Sequence, residues 1–250
     1  HLDVTTANEQ FHDEIANVYD DHNKGVFNEK NQAHIISVLK SLKDEENSGI
    51  LLDVGCGTGN ILKNAKPHFK EIYGIDISSK MMENAKQFTS NLVKHDINTP
   101  FPFKKNNFDV ITCYSLLHHL YDPGVCLKNV YDSLKEGGYL YSDHDPNFFF
   151  VKRFNWWKKI RKVFLNKELS KSVDTRVDEL EAKAEYHNTF SPGLNPEKLV
   201  KILYGIGFKE VKLVYRFPPT PDKFTKCLIF LNKLSPSKTY KCYFSIIARK

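Results

Sequence analysis

The sequence contains no apolar run near the roughly 18 residues that a membrane-crossing helix requires. Its opening residues carry no secretory signal pattern. Cysteines are few: Cys56, Cys113, Cys126, Cys227 and Cys242 are odd in number, scattered and never spaced C-x-x-C. That excludes a disulfide framework and a zinc ribbon, predicts no bound metal, and points to a reducing compartment, the cytoplasm. No internal repeat or low-complexity tract is present, so repeat arrays and disordered chains are excluded as well. What remains, with 250 residues, 41% of them apolar and 26% charged, is a folded chain with a sizeable core.

Acids are nearly absent from one segment. Between Lys152 and Lys171 there are eight basic residues and a single acid, Glu168. This segment accounts for the net charge of +6 and leaves the rest of the chain close to neutral. Phe150, Phe154, Trp157, Ile160 and Phe164 recur there at helical spacing.

The chain is organised around Ile50-Leu51-Leu52-Asp53-Val54-Gly55-Cys56-Gly57-Thr58-Gly59-Asn60. An apolar block reads as a buried strand, three alternate glycines as a tight turn, and a helical pattern follows. Glycine suits such a turn because φ can turn positive and a ligand can lie against the bare backbone. The amides opening the helix then face the crevice. The dinucleotide fingerprint G-x-G-x-x-G has its third glycine one step later.

Strand and helix patterns alternate on both sides of this run. Residues 1–20 carry Phe11, Ile15, Ala16 and Tyr19 at helical spacing, 20–25 reads as a loop, and a helix is predicted over Asn28–Leu42. Predicted strands are 50–54, Glu71–Asp76, Leu92–Asp96, Phe108–Tyr114, Tyr139–Ser142, Phe208–Phe217 and Cys242–Ala248. A helix over Val125–Leu134 precedes Gly137-Gly138, and Asn195-Pro196 opens another that Gly205 and Gly207 close. Asp53, Asp76 and Asp96 all fall at or near strand ends, where ligands of open α/β sheets bind. Asp76 at the end of its strand can accept from both ribose hydroxyls of an adenosine ligand, and Ile77 can flank the base.

The glycine run, Gly74 to Met82, Asp96-Ile97-Asn98, and Phe108 to Tyr114 with the helix–Gly-Gly–strand unit after it occur in order over roughly residues 50–142. Together they resemble the motifs of class I S-adenosylmethionine-dependent methyltransferases, small-molecule type. The resemblance implies an α/β, Rossmann-like three-layer sandwich. Its seven-stranded sheet is mostly parallel, with the antiparallel last strand inserted between strands five and six. It also implies one domain over 1–250, with a helical cap at 1–45 and a helical lid or insertion at 148–190. The cofactor implied is S-adenosyl-L-methionine, leaving S-adenosyl-L-homocysteine. Its expected contacts are Asp53, Gly55, Cys56, Gly57, Gly59, Asp76, Ile77, Met81, Asp96, Ile97, Tyr114, His119 and Tyr19. His118 and His144, beside strands four and five, are the candidate proton acceptors, since an ordinary imidazole titrates near neutrality. The acceptor expected is a small or lipid-like molecule, with membrane-surface contact through 150–171 and with nucleic acid disfavoured. An RNA methyltransferase, a nicotinamide-dependent oxidoreductase and a non-catalytic cofactor-binding module are the alternatives.

Overall fold

The computed structural model describes residues 2–42, 49–154, 180, 183–184, 193–218 and 220–250. Most of the basic aromatic segment, and with it the expected lid and membrane contact, lies outside the described residues. Helices α1 (Leu2–Ile15), α2 (Tyr19–His22), α3 (Lys24–Phe27) and α4 (Glu29–Leu42) come first. The loop expected at 20–25 is therefore mostly two short helical turns. Its Asn23 satisfies the chain locally, donating from Nδ2 to the Tyr19 carbonyl at 2.9 Å.

The alternating part follows as β1 (Ile50–Val54), α5 (Asn60–Ala65), β2 (Glu71–Asp76), α6 (Ser79–Ala85), β3 (Leu92–Lys94), β4 (Phe108–Tyr114), α7 (Pro123–Ser133), β5 (Leu134–Pro146), α8 (Pro196–Ile206), β6 (Glu210–Arg216), α9 (Lys223–Leu234) and β7 (Tyr243–Arg249). The seven strands form one sheet in the order β3-β2-β1-β4-β5-β7-β6. Strands β1 to β5 pair in parallel, and β7 runs antiparallel to both β5 and β6. The expected insertion of the last strand between the fifth and sixth is thus observed. Among the described residues no helix is long and apolar enough to cross a membrane.

Period-two alternation divides the core between the two faces. Leu52, Val54 and Ile111 pack with Leu127, Val130, Leu199 and Leu203 from α7 and α8. Leu51, Val110 and Tyr141 pack with Ile35, Leu39, Ile61 and Leu62 from α4 and α5. Caps set the helix starts: Ser78 Oγ accepts from Met81 N–H, Asp122 from Gly124 N–H and Asn195 from Glu197 N–H.

Three elements differ from expectation. Strand β5 is longer than Tyr139–Ser142, taking in Lys135 to Gly138 and running on to Pro146 because β7 pairs with it over Tyr139–Pro146. Gly205 lies inside α8, and Gly207 with φ +126° ends it. Helix α9 was not legible, since much of its apolar surface lies outside and it buries only Thr225 and Leu228. Strand β5 also carries a bulge. Asp143 faces Ser245 and Asp145 faces Phe244, so His144, with φ +67°, is the extra residue.

Gly59 closes the glycine turn in the left-handed region, φ +91°. A Cβ there would lie 2.8 Å from Phe88 Cδ2 and 3.1 Å from Ala85 Cα, so α5 and α6 meet across it. Gly59→Ala is expected to cost about 2–4 kcal/mol through backbone strain and overpacking. Thermal denaturation checks this as a fall in Tm of roughly 5–15 °C.

Candidate active site

The turn after β1 is tied to the end of β2. Gly55 and Cys56 N–H both donate to the Ile75 carbonyl, at 2.8 and 3.1 Å. Gly57 N–H donates to Asp76 Oδ2 and Ser78 N–H to Asp76 Oδ1, each at 2.8 Å. Gly55 and Gly57 both hold positive φ, +70° and +50°. Asp76 is buried, and burial pushes its carboxyl up from the usual range, while the Ser78 and Gly57 amides and nearby His12 oppose the rise.

Above this turn lies a pocket with about 790 Å³ of empty space, the open solvent at its mouth included. Gly55, Gly57, Asp76, Ile77 and Met81 line one side, and His95, Asp96, Ile97 and Asn98 another. Tyr114, Ser115, Leu116, His119, Leu120 and Tyr121 form the β4 side, and Val4, Thr5, Asn8, His12 and Tyr19 come from the N-terminal helices. Helix α1 is fastened over the pocket by Ser78 Oγ donating to Asp13 and by Lys94 paired with Glu9 at 2.6 Å. Asp96 is held in place as Oδ1 accepts from Asn98 N–H at 3.0 Å and from Asn98 Nδ2 at 2.8 Å.

A second, smaller pocket shares Tyr19, Gly55, Gly57, Tyr114 and Ser115 with the first and adds Asp53, Cys56, Thr58 and Asn60. Burial pushes Asp53 up to about 7, helped by the charge of Asp76 and opposed by the Thr112 hydroxyl, which donates to it at 2.7 Å. Asn8 Oδ1 and both amide atoms of Asn60 are buried with no hydrogen-bond partner. Native proteins leave few such atoms unpaired. Two acids and unpaired side-chain amides beside a partly apolar slot fit an elongated ligand with a flat base, a sugar and a zwitterionic end.

A polar cluster flanks this pair of pockets at the ends of β4 and β5. Asp143 accepts from Tyr141 Oη at 2.6 Å and from its neighbour's amide, His144 N–H, at 2.7 Å; Arg216 pairs with it. The His144 ring is sandwiched between Tyr114 and Tyr243, with centroids 5.5 and 4.3 Å away. Burial lowers His144 to about 4, so it is neutral at physiological pH; nearby Asp143 opposes the shift. Ser115 also holds positive φ, +52°, and its N–H donates to the Asp143 carbonyl at 2.8 Å. Two strained residues therefore sit side by side at adjacent strand ends, a common sign of a site.

Of the residues singled out from sequence, Gly55, Gly57, Asp76, Ile77, Met81, Asp96, Ile97, Tyr114, His119 and Tyr19 line the larger pocket. Asp53 and Cys56 line the smaller one, while Gly59 lines neither and packs on α6. His118 and His144 also lie off both walls. His118 is buried, with Nδ1 2.8 Å from Asp145 Oδ1 and its ring 4.0 Å from that of His119. The sequence reading missed Asn8 and His12 of α1 and Arg216, the partner of Asp143. Asn8 and His12 are spaced i, i+4, the one local signal; nothing local couples residues 73 apart.

A family model for the methyltransferase domain matches residues 52–142. A ubiquinone biosynthesis O-methyltransferase of Coxiella burnetii is 34% identical over 97 residues, covering 36% of this chain and 41% of that protein. The chain thus spans about two fifths of that relative's length. A demethylmenaquinone methyltransferase of Staphylococcus saprophyticus is 28% identical over 224 residues, covering 84% and 93%. Among solved structures, a possible histamine N-methyltransferase of Thermotoga maritima superposes with a TM-score of 0.61 at 20% identity, covering 97% of this chain and 99% of that one. The glycine turn, the acid ending β2 and the inserted antiparallel strand agree with these likenesses: residues 52–142 match the methyltransferase domain, and the sheet around them has the fold of the S-adenosylmethionine-dependent methyltransferases.

Proposed function

We propose that the chain binds S-adenosyl-L-methionine in the two adjoining pockets and transfers its methyl group to a small, lipid-like acceptor. The observation that carries the reading is Asp76. Its two oxygens fix the turn through two amides, yet a carboxylate has about four acceptor sites. The remaining sites face the pocket and suit the two ribose hydroxyls. Asp96 and the Ile97–Asn98 backbone suit the adenine edge, with Ile77 and Met81 against its faces. Asp53 and the Asn60 amide suit the charged methionine end.

The bound cofactor supplies an already activated methyl, so the protein's task is mainly alignment. His119 faces the pocket, and His118, held by Asp145, backs its ring. His144, off both pocket walls, neutral and gripped between two tyrosines, suits a positioning role behind Tyr114 and not the role of proton acceptor. The apolar wall of Leu116, Leu120 and Val4, together with the quinone-pathway names of two relatives, favours a lipid-like acceptor over a nucleic acid.

Calorimetric titration with S-adenosylhomocysteine and separately with NAD tests the first half. Saturable heat with the homocysteine compound alone is expected, and heat with NAD alone overturns the reading. Incubation with hydroxylated quinone precursors and with small amines, read by mass spectrometry, tests the second. A product heavier by one CH2 from the quinone precursors is expected; methylation of the amines alone overturns the acceptor class.

A further inference from the structure

Helix α9 carries an uncovered apolar stripe. At about 100° per residue, Cys227, Phe230, Leu231 and Leu234 fall on one arc, with Thr225 and Leu228 turned inward. Phe230 is 59% exposed, Leu231 38% and Leu234 70%. Lys226 and Lys233 lie together along one flank and Lys223 at the head. The helix contains no acid. Among the described residues no carboxylate pairs with these three lysines. Beside the helix start, the Phe154 ring meets Phe224 at 5.5 Å and the Arg153 guanidinium stacks over Phe154 and Tyr240.

We infer that α9 docks the chain on the surface of an anionic phospholipid bilayer. An apolar stripe flanked by lysines and empty of acids is what an interfacial helix needs: side chains for the acyl boundary and cations for the headgroups. A second copy of the chain is disfavoured as occupant, because a two-fold contact sets the same lysines against each other. Nucleic acid would leave Leu231 and Leu234 with nothing to bury against. Helix α9 follows the end of β6, at the same edge of the sheet as the pockets. A docked chain therefore keeps that edge beside the bilayer. This inference stands on α9 alone and is independent of the methyl-transfer reading.

The test is co-sedimentation of the full chain with vesicles of phosphatidylglycerol and phosphatidylcholine in equal parts, against phosphatidylcholine alone. Binding at least about tenfold stronger to the anionic vesicles is expected. The double substitution Phe230→Ser/Leu234→Ser is expected to weaken it by about tenfold or more, since the two large apolar groups that would leave water for the acyl boundary are then gone. Lys226→Glu/Lys233→Glu is expected to weaken it too, with the circular-dichroism melt of both variants unchanged. Undiminished binding of the serine variant overturns the inference, and so does equal affinity for neutral vesicles. It is overturned equally by a dimer in sedimentation velocity that the serine variant abolishes, or by RNA retention without vesicle binding.

Discussion

Asp76→Ala is expected to weaken S-adenosylhomocysteine binding by about a hundredfold. The carboxylate accepts two amide hydrogens that shape the turn and has acceptor capacity left for two ribose hydroxyls. Hydrogen bonds to a charged group are worth about 1.5–3 kcal/mol each, so losing the two ligand bonds alone reaches that figure. Asp76→Asn keeps one acceptor oxygen and is expected to fall between the two. Calorimetry reads both, with a thermal melt to confirm folding. Affinity unchanged in the alanine variant would move the adenosine away from β2.

Asp53→Asn is expected to separate stability from affinity. The folded-state pKa of Asp53 is raised to about 7 from 3.8, chiefly by burial. Between those values the unfolded chain has released the proton and the folded chain still holds it. The folded state binds more protons there, so Asp53 makes the unliganded protein less stable as pH rises from about 4 to 7, at about 1.4 kcal/mol per pH unit. Asparagine removes that cost while its side-chain oxygen still accepts from Thr112 Oγ1. The unliganded variant should melt several degrees above the parent at pH 8, and by clearly less at pH 5. Its affinity for S-adenosylhomocysteine should drop at both, because the carboxylate facing the cationic amino end is gone. A variant that melts no higher at pH 8 than its parent would contradict the burial of an ionised Asp53.

The parts of this site that were legible in the sequence are those written in consecutive residues. The glycine turn and the acid of β2 advertise themselves because a backbone requirement and a strand end each impose a residue type locally. The place of β7 in the sheet followed from resemblance, not from any pattern within Tyr243–Arg249. Roles that depend on distant partners were not legible. His118 looked like a free base beside β4, yet it faces Asp145, 27 residues on. Gly59 looked like part of the ligand cradle, yet its bare Cα is needed by Phe88 and Ala85. Asn8 and His12 look like ordinary helix-surface residues until α1 is laid across the pocket. Helix α9 escaped for the opposite reason: it is amphipathic in the wrong sense for a core-packed helix, with much of its apolar surface outside.

The bulge at His144 has an electrostatic consequence. Ser142 and Asp145 touch, Oγ to Oδ2 at 3.2 Å, although residues three apart in an unbroken strand point to opposite sides. The extra residue thus sends Asp145 to the side of His118 and leaves Asp143 on the other, with Tyr141 and Arg216. In a regular strand the two acids would share a side and compete for the same partners. A single inserted residue sorts two buried carboxyl groups into separate compartments, each with hydrogen-bonding partners of its own.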